Sequence, residues 1–161
     1  GTSVFQLNQS DEFVLMQEAI KIPQNTNELS INFSNYAFWP IHIKSYVEEC
    51  ISLYKSNGQS NYNMRWIGSL VADCYRILVR GGIFLYPQDT RKGYEKGRLR
   101  IVYEANPVAF LIEQSGGFAT DGHKRILSLK PESIHERVPF IFGSKNENIK
   151  LIEFYGKINV S

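Results

Sequence analysis

The sequence contains few cysteines and histidines. Cys50 and Cys74 lie far apart, and neither a C-x-x-C pair nor an i, i+4 histidine pair occurs among His42, His123 and His135. Protein zinc sites usually need such spacings, so we expect no zinc site. We expect both thiols to be free and buried, and this favours a cytoplasmic protein, because cytosolic proteins rarely form disulfides.

Several motifs that bind nucleotides or supply nucleophiles are also missing. The absence of G-x-x-x-x-G-K-[ST] and G-x-G-x-x-G argues against the common phosphate-binding loops. The absence of G-x-S-x-G argues against a nucleophile elbow. No tight cluster of aspartates is present that could hold several metal ions.

Charge and hydropathy exclude further classes. Eighteen basic and sixteen acidic side chains give a net charge of +2, which is too balanced for a protein that coats nucleic acid or an anionic membrane. No apolar run approaches the roughly 18 residues that cross a bilayer. With 43% apolar and 21% charged residues in 161 positions, the chain is predicted to form one globular domain.

The first residues do not resemble a signal peptide. Gly1-Thr2-Ser3 is followed by a strand-like pattern, with no charged segment and no apolar segment before it. A processed chain, a cloned domain and a fragment would all begin in this way.

The hydrophobic periodicity predicts alternating strands and helices. The predicted strands cover residues 3–7, 12–17, 28–33, 83–86, 99–103, 118–120, 126–129 and 138–142. The predicted helices cover residues 40–55, 63–80, 108–114 and 144–155. This alternation predicts an α/β fold, a layered α/β/α domain with a mixed central sheet.

Helix ends are indicated by specific residues. Asn63 is a predicted N-cap, and Gly81-Gly82 is a predicted left-handed stop for the same helix. Asn106 before Pro107 is a second predicted N-cap. Residues 144–147 match the capping-box pattern S-x-x-E.

Several residues are candidates for binding charged ligands. Tyr86 ends a predicted strand, and Glu104 follows one, where α/β sheets collect their ligands. Glu104 either holds a cation such as Mg²⁺, or is a solvated loop residue, or pairs with Arg100. Arg65 lies in the predicted first turn of a helix, where a cation opposes the dipole unless an anion is bound. The alternative is that Arg65 binds no anion and is an ordinary solvated arginine on the surface. Arg98 and Arg100 alternate around Leu99, so one of them can face a phosphate.

An ordered set of motifs covers nearly the whole chain. It comprises SIN at 30–32, RWIGSLVAD at 65–73, GGIFLYP at 81–87, GRLRIVYEANP at 97–107, GG at 116–117 and IHERVP at 134–139. In order and spacing this set resembles the C-terminal half of class I fructose-1,6-bisphosphatase.

The resemblance implies a sugar-phosphate site. By this resemblance, Asn32 and Tyr86 match residues that contact the 6-phosphate of the sugar, and Leu70 matches a position that lines the sugar through its backbone. Arg65 matches an arginine that reaches the 6-phosphate site of a neighbouring subunit. Tyr36 matches a substrate-contacting tyrosine when one residue is inserted after Asn32.

Two residue types depart from the family pattern, and one matches its metal site. Trp66 stands where the family usually has tyrosine, so this position can donate a hydrogen bond but cannot accept one. Arg98 stands where the family has lysine, so a planar guanidinium takes the place of the compact ammonium charge of lysine. Glu104 matches the glutamate of the family's Y-E-x-N-P motif, which ligates a metal.

The activity implied by the resemblance is hydrolysis of the 1-phosphate of fructose 1,6-bisphosphate to fructose 6-phosphate in gluconeogenesis. It would be carried out by a cytoplasmic homotetramer that uses Mg²⁺, Mn²⁺ or Zn²⁺. The family's Asp-Pro-x-Asp-Gly-Ser-type motif does not occur here. We therefore expect residues 1–161 to be the sugar-phosphate-binding domain, inactive and metal-free without an N-terminal catalytic half as its partner. A stand-alone sugar-phosphate-binding module and a sedoheptulose-1,7-bisphosphatase are the alternatives.

Overall fold

The computed structural model describes residues 1–52 and 62–157 of the chain. The strands are β1 (Val4–Leu7), β2 (Phe13–Gln17), β3 (Glu28–Ile31), β4 (Asn63–Met64), β5 (Ile83–Tyr86), β6 (Leu99–Arg100), β7 (Phe118–Thr120), β8 (Arg137–Val138) and β9 (Phe140–Gly143). The helices are α1 (Ile41–Ser52), α2 (Leu70–Arg80), α3 (Asn106–Gln114) and α4 (Lys145–Lys157). Short 3₁₀ turns cover Phe33–Phe38 and Ile126–Ser128, and a π-helical turn covers Ile101–Ala105.

Five strands form the central sheet in the order β4-β3-β5-β9-β7. β3 runs parallel to both β4 and β5, whereas β9 runs antiparallel to β5 and β7. The sheet is therefore mixed, as predicted. Because β4, β3 and β5 are parallel neighbours, their carboxyl ends lie side by side at one edge of the sheet.

Helices cover both faces of this sheet. Alternate side chains of β3 and β5, such as Leu29 and Leu85, are fully buried in a core shared with α1 and α4. The opposite face, which includes Phe84, packs against α2 and α3. The predicted α/β/α layering is confirmed. Among the described residues, no helix is long and apolar enough to cross a membrane, and Cys50 and Cys74 are free and buried.

Two antiparallel strand pairs lie outside the central sheet. β1 pairs with β2, and β6 pairs with β8. The β1–β2 pair exposes apolar side chains, among them Phe5, Phe13 and Met16.

The predicted helix over residues 63–80 begins seven residues late. Asn63 and Met64 form β4, and α2 begins only at Leu70, after Ser69. The Arg65 N–H donates to the Leu29 carbonyl at 2.8 Å, so Arg65 extends the pairing with β3. The prediction of Arg65 in a helical first turn is therefore wrong, and so is the dipole argument that depended on it. The predicted stop at Gly81 is confirmed, with φ of 78°.

Three further predictions were wrong in detail. Strand 99–103 ends at Arg100, and the backbone then enters the π-helical turn, so Glu104 and Asn106 lie in continuous helical structure and Asn106 is not a cap. The predicted strand at 126–129 is a 3₁₀ turn. Pro139, which has no N–H for a strand ladder, separates β8 from β9.

The first and last long helices differ slightly from the prediction. α1 covers Ile41–Ser52, and predicted positions 53–55 lie outside the described residues. α4 begins directly after Ser144. The Ser144 hydroxyl accepts a hydrogen bond from the Gly82 N–H at 3.2 Å, so it connects the start of α4 to the residue before β5. The Glu147 carboxylate accepts from the hydroxyls of Tyr46 and Tyr62, at 3.0 and 2.7 Å.

Candidate functional site

Three candidate residues follow the carboxyl ends of neighbouring parallel strands. Asn32 follows β3, Arg65 follows β4, and Tyr86 is the last residue of β5. Ligands of open α/β sheets bind outside this edge, because the chain leaves the sheet here and leaves room between the connecting segments. The sheet topology therefore brings together residues that are far apart in the sequence.

A small pocket at this edge is lined by Asn32, Asn35, Tyr86, Asp89 and Arg98, together with Ile31, Trp39 and Pro87. The Asn32 Oδ1 accepts from the Ser34 N–H at 3.1 Å and so begins the 3₁₀ turn. Because the Asn32 Oδ1 already accepts this hydrogen bond, the group of Asn32 that can donate to a phosphate oxygen is its amide NH₂.

Trp66 connects the pocket to the core through a series of stacked rings. Its indole stacks on Tyr86, with centroids 5.8 Å apart and planes at 19°. It also stacks on Phe84, at 5.6 Å. Phe84 in turn stacks on Phe142 at 4.8 Å. This packing fixes the position of the Tyr86 ring, since stacked aromatic pairs have defined geometry.

Arg98 carries the positive charge of the pocket. Its guanidinium carbon lies 4.1 Å from the ring centroid of Tyr94 and 5.5 Å from that of Tyr86. Its Nη2 donates to the Tyr94 hydroxyl oxygen at 3.2 Å. A guanidinium can bind two phosphate oxygens at once, so Arg98 is suited to hold a phosphate group.

Asp89 is a buried carboxylate beside this charge. Arg91 donates from Nε to both of its oxygens, at 3.1 and 3.2 Å, and also from Nη2. Although burial by itself would raise the pKa of the Asp89 carboxyl, the hydrogen bonds and charge of Arg91 and the charge of Arg98 hold that pKa below its usual value. Asp89 is therefore ionised and neutralised by Arg91, leaving Arg98 with its positive charge.

A second, wider cleft adjoins the first pocket. It is lined by Tyr86, Tyr94, Arg98, Leu99, Arg100 and Arg137. Arg100 and Arg137 stand opposite each other in the antiparallel register of β6 and β8. Like charges in facing positions are unfavourable in the absence of an anion. Arg98 lines both spaces, and the cleft as a whole is positively charged.

Arg65 lies at the exposed edge of an ionic network centred on the buried carboxylate of Glu28. Glu28 accepts from Arg76 at 2.7 Å and from Arg80 at 2.5 Å, whereas the Arg65 Nε lies 3.9 Å from the same carboxylate. Because two closer guanidinium groups already satisfy Glu28, Arg65 is only loosely held. Its side chain is 51% exposed.

Asp73 is the second acid of this network and is fully buried. It accepts from the Ser30 hydroxyl at 2.8 Å and from Arg76 at 2.9 Å. It also accepts from the Ile67 N–H at 3.4 Å. Arg76 donates in addition to the Arg65 carbonyl at 3.1 Å. The network thus holds the segment that carries Arg65 and Trp66 against β3 and α2.

Tyr36 and Leu70 lie elsewhere. The Tyr36 hydroxyl donates to Glu48 of α1, and its ring stacks on Phe33 at 5.2 Å. Tyr36 is not among the residues that line the pocket, whereas its neighbour Asn35 is. Leu70 begins α2 and, partly buried, packs against the edge of the core on the α2–α3 face of the sheet.

Glu104 is paired with Arg100, one of the alternatives considered for it. Its Oε2 accepts from the Arg100 N–H at 2.7 Å and lies 3.5 Å from the Arg100 Nη1. Within residues 1–52 and 62–157, no group of three or more His, Cys, Asp and Glu side chains is arranged to hold a metal ion. The described part of the chain can therefore offer Glu104 as one oxygen ligand, and it does not form a metal site by itself.

The sequence reasoning missed Asn35, Asp89 and Tyr94. Residues 88–96 form a polar, charged segment, and the tyrosine within it, four positions before Arg98, is the signal that could have pointed to this contact. Only the folded loop places Tyr94 beside Arg98.

Comparisons with known proteins identify the relatives of this chain. Proteins named fructose-1,6-bisphosphatase class 1 are similar to the chain in Sinorhizobium medicae (52% identity over 143 residues, 89% of this chain and 41% of the relative) and in Nitrobacter vulgaris (49% over 154 residues, 95% and 44%). A protein named fructose-1,6-bisphosphatase class 1 2, from Xanthobacter autotrophicus, is 49% identical over 156 residues (96% and 47%). The chain spans less than half the length of these relatives.

A family model described as the fructose-1-6-bisphosphatase C-terminal domain matches residues 22–156. The match covers the central sheet, all four helices and both clefts. By this match and by these relatives, the chain belongs to the fructose-1,6-bisphosphatase C-terminal domain family.

Proposed function

We propose that this chain binds the 6-phosphate end of fructose 1,6-bisphosphate within an enzyme that hydrolyses the 1-phosphate and leaves fructose 6-phosphate, a step of gluconeogenesis. The observation that carries the proposal is the convergence of Asn32, Tyr86 and Arg98 on one pocket at the carboxyl edge of the sheet. The name of the relatives, fructose-1,6-bisphosphatase class 1, supports the choice of substrate.

Each of these residues has a distinct part in binding. Arg98 neutralises the phosphate and donates two parallel hydrogen bonds. The Asn32 amide and the Tyr86 hydroxyl donate to the remaining oxygens, and Trp66 fixes the Tyr86 ring. Leu70 and Tyr36 remain proposed sugar contacts from the family resemblance alone.

Arg65 extends the proposal to an oligomer. Its guanidinium is half exposed and only loosely held by Glu28, which is the state expected of a group that serves another molecule. We propose that Arg65 reaches the phosphate site of a neighbouring copy in a homotetramer. The two free, buried thiols support a cytoplasmic location.

A divalent metal ion, Mg²⁺ or else Mn²⁺ or Zn²⁺, would stabilise the charge of the transferred phosphoryl group. Glu104 can give that ion one carboxylate, but it is engaged by Arg100. The other ligands are proposed to come from a partner domain that corresponds to the N-terminal part of the relatives.

The binding half of this proposal is tested on the 161-residue chain. Isothermal titration with fructose 6-phosphate is expected to show saturable binding that weakens at least about ten-fold in Arg98→Ala, because a charged bidentate contact is worth more than about 1.4 kcal/mol. Lys92→Ala, which removes an exposed charge from the same loop, is the matched control and is expected to bind normally. Equal binding by the unaltered chain and Arg98→Ala contradicts the assignment.

The catalytic half is tested with a chimera. The N-terminal part of the Sinorhizobium medicae relative is joined to this chain in place of its own matching residues. The chimera is expected to release phosphate from fructose 1,6-bisphosphate only when a divalent metal is added, and this chain alone is expected to release none. Comparable metal-dependent release by this chain alone contradicts the need for a partner domain.

A second candidate function is sugar-phosphate binding without hydrolysis. It needs only the pocket lined by Asn32, Tyr86 and Arg98, which the described part of the chain forms by itself. A folded chimera that binds fructose 6-phosphate and releases no phosphate would favour this second candidate.

A further inference from the structure

Arg98 has a long side chain whose direction must be set by its surroundings. It lines both the pocket with Asn32 and the cleft with Arg100. The ring nearest to its guanidinium belongs to Tyr94, at 4.1 Å, and the Tyr94 hydroxyl also accepts a hydrogen bond from it. The Tyr94 side chain thus contacts the Arg98 guanidinium twice: its ring lies against the flat face, and its hydroxyl accepts from an N–H.

The backbone of Tyr94 is itself tightly held. Its N–H donates to the Arg91 carbonyl at 3.0 Å, and its carbonyl accepts from the N–H groups of Gly97 and Asp89, at 3.0 and 3.2 Å. Gly97 has φ of +86°, and a Cβ there would overlap the backbone of Val138. The loop therefore folds back tightly enough to bring Tyr94 over Arg98.

A second arginine fixes the loop to the rest of the site. Arg91 binds Asp89, and its guanidinium carbon lies 4.7 Å from the Phe38 ring centroid and 5.1 Å from that of Tyr94. The Thr90 N–H donates to the Phe38 carbonyl at 3.2 Å. Phe38 ends the 3₁₀ turn that begins just after Asn32, so this contact connects the two sides of the pocket.

We propose that Tyr94 is a positioning residue that orients the Arg98 guanidinium towards the sugar phosphate, and that the Asp89–Arg91 pair holds Tyr94 in place. This inference rests on the proposed function, since it takes Arg98 as the phosphate-binding group. A planar fork binds two oxygens only in a defined orientation, whereas a lysine ammonium is a point charge that needs less orientation. An oriented Arg98 also loses less side-chain freedom when the ligand binds.

The test is a double-mutant cycle on the 161-residue chain, with fructose 6-phosphate as the ligand in isothermal titration. Tyr94→Leu removes the ring and the hydroxyl and is expected to weaken binding about five-fold, the size of one exposed cation–π contact. Tyr94→Phe keeps the ring and is expected to restore most of this loss. In the Arg98→Ala background, Tyr94→Leu is expected to have no further effect, because the group it orients is gone.

Thermal unfolding of each variant measures any structural effect of Tyr94, and Lys92→Ala again serves as the control for loop charge. Equal binding by Tyr94→Leu and the unaltered chain overturns the inference, and so does a five-fold loss that persists in the Arg98→Ala background. In both cases the proposed function stands if Arg98→Ala alone weakens binding. If the unaltered chain does not bind fructose 6-phosphate, or if Arg98→Ala binds normally, the proposed function itself fails.

Discussion

Replacing Asp73 by alanine is expected to destabilise the fold strongly. The carboxylate is fully buried and accepts hydrogen bonds from Ser30, Arg76 and the Ile67 N–H. Removing one member of a buried ion pair costs about 3–5 kcal/mol, because the remaining charge stays buried without its partner. Arg76 keeps Glu28 and the Arg65 carbonyl as acceptors, so we expect the lower end, about 3 kcal/mol.

For a chain of this length, that loss corresponds to a melting temperature lowered by about 6–12 °C. Urea unfolding followed by circular dichroism measures the free energy of unfolding directly. Glu153→Ala removes an exposed carboxylate from α4 and is the matched control, with an expected change below about 0.5 kcal/mol. Asp73→Asn keeps an acceptor for Ser30 and is expected to cost less than Asp73→Ala.

A double-mutant cycle with Arg76→Met isolates the pair. We expect a coupling free energy above about 1 kcal/mol between Asp73 and Arg76, because they share one hydrogen-bonded network. A loss below about 1 kcal/mol for Asp73→Ala, or additive effects of the two substitutions, would refute the reasoning. It would mean that the segment carrying Arg65 is held by apolar packing and not by these charges.

Three further outcomes are expected from the structure. Burial and the charge of a neighbouring histidine lower the pKa of His42 below 6.5, so the unfolded state takes up the proton first and stability falls as the pH drops below 6.5. His42→Phe is expected to flatten this part of the pH–stability curve in urea titrations. Gly122→Ala, at φ +105° and directly against the Tyr155 ring, is expected to cost about 3 kcal/mol in the same assay. Burial raises the pKa of the Cys50 and Cys74 thiols to about 11, so a chromogenic disulfide at pH 7 is expected to modify them only in denaturant, and rapid labelling of the native chain would contradict this.

Local patterns predicted most of the α/β/α framework. β5 was predicted with its observed bounds, because four consecutive apolar residues between Gly82 and Pro87 favour a buried strand. The end of α2 at Gly81 followed from the freedom of glycine to take a positive φ. Tyr86 could be proposed as a site residue for the same reason, since the strand that precedes it was well defined.

The beginning of α2 could not be predicted in the same way. The apolar spacing from Ile67 onwards fits a helix, and nothing local shows that residues 63–65 pair instead with β3, more than 30 positions earlier. Gly68, with φ of +83°, marks the break, but its conformation is visible only in the folded chain. The spacing of apolar residues likewise gives no sign that Asp73 is buried, whereas in the fold it is fully buried and bonded to Ser30 of β3 and to Arg76.

By itself, the sequence determined the fold class, most strand and helix positions, the family resemblance and the candidates Asn32, Tyr86 and Arg98. The fold class, the element positions and the candidates Tyr86 and Arg98 depend on periodicity, on glycine and proline, and on residues at strand ends, all of which act over a few positions, whereas Asn32 came from the family resemblance alone. Only the tertiary structure decided which candidates share a pocket and placed Tyr94 against Arg98. It also decided that Glu104 pairs with Arg100 and that Arg65 shares the Glu28 carboxylate with Arg76 and Arg80. Contacts of this kind depend on the parallel order of β4, β3 and β5 and on how the connecting loops fold back, and the spacing of residues along the chain does not encode either of them.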